Sequence, residues 1–163
     1  DLSFTSKVGR GTVFRLTLPM ARTREVQVAP PTPEARRAYG LFGTKVLLIE
    51  NDMTVAEATT ALLERWQCSV RPAATTTAAL EALADTDWVP DVIIADQHLD
   101  QGDLGSEAIT EARRFLLRRV PAVIVTADPS DELQHAARKE GVEVMLKPVK
   151  PAQLRALLAH LLA

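Results

Sequence analysis

Four apolar residues, Val92 to Ala95, run directly into a carboxylate, Asp96, and the chain is then mostly polar through "QHLDQGD". The same event recurs elsewhere: "KVLLIEND" delivers Glu50, Asn51 and Asp52, "PAVIVTA" delivers Thr126, and "VEVMLKPV" delivers Lys147 followed by Pro148. An acid after a buried strand commonly caps the next helix, and Asp52 ahead of "MTVAEATTALL" reads that way. Glu50 and Asp96 differ, because two carboxylates sharing one pocket repel by roughly several kcal/mol at an effective dielectric of ~20. Something positive must lie between them. Lys147 supplies one ammonium, and a hard divalent cation, Mg²⁺ above others, supplies the rest through oxygen ligands and retained waters. Asn51 can lend an amide oxygen, and the main-chain carbonyl of His98, two residues past Asp96, is positioned as a third protein ligand. With cation, Lys147 and the Thr126 hydroxyl around a transferring phosphoryl group, Asp96 becomes a nucleophile able to form an acyl phosphate.

These residues meet only if the strands carrying them lie parallel, since ligands of an open α/β sheet bind beyond the carboxyl ends of its strands. From Thr44 onward, short apolar runs alternate with amphipathic stretches, the pattern of repeated βα units. The runs are "KVLLIE", "CSVRP", "DVIIAD", "PAVIVTA" and "VEVMLK", most of them continuous in apolar residues as strands covered on both faces must be. Helical stripes intervene: Val55, Leu62, Leu63 and Trp66; Ala79, Leu80 and Leu83; Ile109, Ala112, Phe115 and Leu116; Leu133, Ala136 and Ala137; Leu154, Leu157, Leu158, Leu161 and Leu162. Those stripes are core faces and carry no chemistry. The second strand ends in Arg71 and Pro72 alone, as an outside strand would, and the other four are expected to share one pocket.

The first 19 residues read differently. A glycine turn precedes strict alternation, with Phe14, Leu16 and Leu18 on one face and Val13, Arg15 and Thr17 on the other, which predicts a half-buried strand. Residues 20–43 hold Pro30, Pro31 and Pro33 and lose apolar periodicity, so they read as a linker with a short helix in "PEARRAY". The chain opens on Asp1, as a piece of a longer protein would.

Composition excludes several classes. A net charge of −2 gives no broad basic surface for nucleic acid, and Arg113, Arg114, Arg118 and Arg119 read as a solvated helix face before a docking feature. No apolar run approaches the ~20 residues that span a bilayer. The single cysteine, Cys68, forms no internal disulfide and reads as core. A flavin phosphate would need a hydroxyl- and glycine-rich loop after the first strand, where "IENDMTV" presents carboxylates instead.

On "KVLLIEND", "VIIADQHLDQGDLG", "VIVTAD" and "VEVMLKPV", residues 44–163 resemble the receiver domain of two-component response regulators. The resemblance implies a flavodoxin-like, doubly wound (βα)5 fold with sheet order 2-1-3-4-5, a Mg²⁺ cofactor, and transfer of a phosphoryl group from a phosphohistidine to Asp96. By motif, Glu50 and Asn51 take the place of the acidic pair, Thr126 that of the switch hydroxyl and Lys147 that of the lysine. Residues 1–19 are similar to the end of a histidine-kinase ATPase domain, with "GRGTVFRLTLP" as its last glycine box and closing strand. Together the pieces resemble the carboxyl-terminal part of a hybrid sensor histidine kinase. That implies a cytoplasmic location, a kinase or histidine phosphotransfer domain as donor, a downstream signalling protein as recipient, and room for a homodimer. Three positions depart from the pattern. Asn51 stands where aspartate is usual, Val144 where an aromatic ring is usual, and His98 sets an imidazole beside Asp96. Asn51 and Val144 leave a second reading open, a binding module that regulates its kinase without phosphorylation.

Overall fold

A computed structural model describes residues 2–9, 11–16, 40–85 and 87–163. The chain divides into two units, Asp1–Pro30 and Pro31–Ala163. The helix expected at residues 33–39, and the strand positions Thr17 and Leu18, lie outside the described residues.

In the first unit, β1 (Leu2–Lys7) pairs antiparallel with β2 (Gly11–Leu16), placing Leu2 opposite Leu16 and Phe4 opposite Phe14. Gly9 and Gly11 both take positive φ at the turn, which only glycine does without strain. The strand expected around Phe14 is present, but its partner was not anticipated and its residues are exposed rather than half-buried. Alternation marks a face suited to burial, and a two-stranded hairpin has no second layer of its own to bury it.

The second unit runs β3 (Lys45–Ile49), α1 (Met53–Arg65), β4 (Ser69–Ala73), α2 (Thr76–Leu83), β5 (Val92–Asp96), α3 (Gly105–Leu116), β6 (Ala122–Thr126), α4 (Asp131–Glu140), β7 (Val142–Leu146) and α5 (Pro151–Leu161). The five strands are parallel in the order β4-β3-β5-β6-β7, the flavodoxin-like order expected, with β4, which carries Arg71 at its middle and runs on to Ala73, at one edge. Leu41, inside the segment read as linker, is buried in the core beside Cys68, whose thiol burial pushes up to about 11.

Alternation along each strand sorts the core into two layers. Val46, Leu48, Val92, Ile94, Val123, Val125 and Met145 pack with Leu63 of α1 and Leu154 and Leu158 of α5. Their neighbours Leu47, Ile49, Ile93, Ala95, Ala122 and Ile124 pack with Ala79 and Leu83 of α2, Ala108, Ile109 and Ala112 of α3 and Ala137 of α4. Each βα unit thus covers one face of the sheet, as right-handed crossovers require. Val55, Phe115 and Ala136, assigned to core stripes by periodicity, are exposed. They sit at the ends or edges of their stripes, beyond what five-residue strands cover. Among the described residues no helix is long and apolar enough to cross a membrane.

Candidate functional site

The parity that builds the two layers also aims the polar residues at the strand ends. Glu50 continues the series Val46, Leu48; Asp96 continues Val92, Ile94; Lys147 follows Met145. All three therefore emerge on the α1/α5 side of the sheet. Lys147 Nζ donates to Asp96 Oδ2 at 2.8 Å and lies 3.8 Å from Glu50 Oε2. Both carboxylate residues are buried, 6% exposed for Glu50 and 8% for Asp96. They share a cavity of about 480 Å³ whose remaining walls include Leu48, Val55, Ile94, Val125, Pro148 and Leu154.

One ammonium serves two buried carboxylates, and the titration behaviour reflects it. Burial lifts the Glu50 carboxyl above its ordinary range; the hydrogen bond from the Asp52 N–H opposes this, and the Asp96 charge adds to it. Burial alone would lower Lys147, but its hydrogen bond to Asp96 and the charges of Asp96, Glu50 and Asp52 together hold it above the ordinary lysine range.

Thr126 and Asn51 have the opposite parity. Thr126 follows Ala122 and Ile124, is fully buried, and its hydroxyl exchanges 3.2 Å hydrogen bonds with the N–H and carbonyl of Asp128. The pocket expected to gather all four strand ends thus brings together Glu50, Asp96 and Lys147, while Thr126 is bonded within its own loop. Asn51 directs Nδ2 to Asp100 Oδ1 at 2.7 Å. His98 is exposed, and its N–H lies 3.5 Å from Asp96 Oδ1. Asp52 caps α1 as expected, its Oδ1 accepting from the N–H groups of Thr54 and Val55 at 2.9 and 3.1 Å.

The loop after β5 holds two residues that strand-end reasoning passed over, Asp100 and Gly105. Gly105 N–H donates to the Gln97 carbonyl, and a Cβ on Gly105 would overlap the Asp96 carbonyl group. Glycine is needed there for close approach; a glycine standing just ahead of the apolar stripe that starts at Ile109 was the available signal. The arginines in and after the last turn of α3 prove structural in part: Arg113 donates from Nε to the Val120 carbonyl and from Nη1 to the Glu140 carbonyl, both at 2.9 Å.

Among the described residues no three His, Cys, Asp or Glu side chains form a metal-ligating group. Magnesium seldom needs one, because it is usually held by one or two carboxylates together with waters and substrate phosphate. Two buried carboxylates that share one ammonium are hard oxygen donors, and they fit that requirement.

The response regulator receiver domain model matches residues 46–159. Over 162 residues, 98% of this chain, the sequence is 31% identical to the autoinducer 2 sensor kinase/phosphatase LuxQ of Vibrio vulnificus, of which the chain spans only 18%. It is 29% identical over 121 residues to the phyllosphere-induced regulator PhyR of Methylorubrum extorquens, covering 74% of this chain and 44% of PhyR. Two solved structures share the fold. A CheY-like receiver domain protein of Methanospirillum hungatei superposes with TM-score 0.66 at 21% identity, over 74% of this chain and 94% of that one. A two-component response regulator of Clostridium difficile gives 0.65 at 23% identity, over 73% and 95%. Family match, strand order and the residues at the strand ends agree, and the chain belongs to the response regulator receiver domain family of two-component signalling.

Proposed function

We propose that residues 44–163 accept a phosphoryl group from a phosphohistidine onto Asp96, as the receiver of a hybrid sensor histidine kinase. The observation that carries this reading is the contact of Lys147 Nζ with Asp96 at 2.8 Å and with Glu50 at 3.8 Å in one largely buried pocket. An Asp96 carboxylate oxygen attacks phosphorus; the P–N bond breaks as the P–O bond forms, and the donor imidazole, protonated on its other nitrogen, leaves neutral. Lys147 is already at the carboxylate and transfers its hydrogen bond to a phosphoryl oxygen. Glu50, Asp96, the Asn51 amide oxygen and the His98 carbonyl are the groups to hold Mg²⁺, which when bound offsets negative charge on the phosphoryl oxygens. Thr126 must exchange its Asp128 partners for the new dianion, and that exchange reshapes the loop between β6 and α4. Water then hydrolyses the acyl phosphate and returns Asp96.

In this reading the donor is a histidine kinase or phosphotransfer domain, the recipient a downstream signalling protein, and the location the cytoplasm. Residues 1–19 are the end of the kinase ATPase domain. Leu2, Phe4, Phe14 and Leu16 share one exposed face of the hairpin, which suits an edge needing a second layer, and the similarity to LuxQ spans 98% of the chain. Incubation with acetyl phosphate and Mg²⁺, followed by intact mass measurement, tests the proposal. The wild type is expected to gain one phosphoryl group and Asp96→Asn none; no gain in the wild type overturns it. The second reading, a docking module that works without phosphorylation, is favoured by Thr126 being bonded within its own loop and by Val144 packing into the core. It predicts no mass gain with kinase regulation intact.

A further inference from the structure

The residue after Glu50 and the loop after β5 meet in a contact that the phosphoryl chemistry above leaves unused. Asn51 Nδ2 donates to Asp100 Oδ1 at 2.7 Å, across 49 residues of sequence. The loop is built to hold Asp100 there. Leu99, 7% exposed, anchors it in the core layer that also contains Ile49 and Ala95. His98 bridges to Leu104, Leu99 N–H donates to the Asp103 carbonyl, and Asp103 N–H closes the single 3₁₀ turn on the Asp100 carbonyl.

We infer that Asp100 is a further anionic group of the cation site, a positioning residue that acts through Asn51 and supplies the charge an amide cannot. The inference rests on the Mg²⁺-dependent reading proposed above. Its basis is charge balance. A dication and the Lys147 ammonium bring three positive charges against the two carboxylates of Glu50 and Asp96. Asp52, whose charge also reaches Lys147, is committed to capping α1 through the Thr54 and Val55 N–H groups, and Asp100 brings a further negative charge to within one amide of the site. Asparagine suits the relay because its NH₂ donates to Asp100 while its carbonyl oxygen stays available to a cation. An aspartate at position 51 would instead set two carboxylates against each other at hydrogen-bond distance. The acid has in effect moved from the strand end to the neighbouring loop.

Asp100→Asn isolates the charge, since it keeps an acceptor oxygen for Asn51 and removes only the anion. Titrating Mg²⁺ calorimetrically into wild type, Asp100→Asn, Asn51→Asp and the double variant, without any phosphodonor, tests the inference; thermal melts without Mg²⁺ report folding separately. Asp100→Asn is expected to weaken Mg²⁺ binding about tenfold, the scale of an outer-shell ligand partner, with little change in the metal-free melt. The double variant, which carries its acid at position 51, is expected to bind close to the wild-type value. Unchanged affinity in Asp100→Asn, or a double variant as weak as that single one, overturns the role of Asp100 alone. Absence of Mg²⁺ uptake by the wild type overturns the cation-dependent reading and this inference with it.

Discussion

Replacing Lys147 by methionine keeps the aliphatic stem and removes the one ammonium between Glu50 and Asp96. The gross Coulomb terms at 2.8 and 3.8 Å are about 6 and 4 kcal/mol at an effective dielectric of ~20. Most of that is not realised. The lysine side chain is 32% exposed, so water screens the pairs and the removed charge returns its own desolvation penalty. The net loss lies between the ~0–1 kcal/mol of an exposed pair and the ~3–5 kcal/mol of stripping one partner from a buried one. We expect about 2 kcal/mol at pH 7 without divalent cations. Urea unfolding followed by tryptophan emission, given a slope of about 2 kcal/mol per molar for a domain of this size, should show the midpoint falling by roughly 1 M. The pH dependence separates electrostatics from packing. Without Lys147 the Glu50 carboxyl, already raised by burial, loses a charge that lowers it and binds its proton still more readily folded than unfolded, so the variant gains stability as pH falls. The deficit at pH 5 must therefore be smaller than at pH 7. An unchanged midpoint at pH 7, or the same deficit at both pH values, would refute the claim that this ammonium holds the acids together.

Three further outcomes follow from the same geometry. Gly105→Ala, which drives a methyl into the Asp96 carbonyl, should lower stability by ~1–3 kcal/mol in thermal melts and slow mass gain from acetyl phosphate. The Glu50 carboxyl is raised chiefly by burial, so its ionisation penalises the folded state; that penalty is absent at low pH and complete above the raised value. Glu50→Gln should thus gain on the wild type as pH rises from about 4.5 to 8, and parallel melting curves across that range would contradict the assignment. Asp52→Ala removes the acceptor for the Thr54 and Val55 N–H groups and should cost ~1 kcal/mol by chemical denaturation.

Much of this architecture is local in origin and therefore legible in the chain. Continuous runs such as Val92 to Ala95 become buried strands because a parallel sheet is covered on both faces. Asp52 caps α1 because a carboxylate there meets free N–H groups within three residues. The receiver motifs give Glu50, Asp96 and Lys147 together because their roles depend on which strand ends they occupy. Periodicity overreached at Val55 and Phe115, since a helix displays a wider apolar stripe than short strands can cover.

By itself, then, the order of residues determined the five βα units, the two apolar layers and the identity of the acids and lysine at the strand ends. The folded chain decided which of those side chains meet. The 51-residue span from Asp96 to Lys147 closes only because β5, β6 and β7 lie side by side, and strand parity turns Thr126 to the other face. The pairing of Leu2–Lys7 with Gly11–Leu16 and the bond from Asn51 to Asp100 are likewise tertiary facts. Pattern reports how each segment divides its own faces between oil and water; direction and distance between segments are set by the packing of all of them at once.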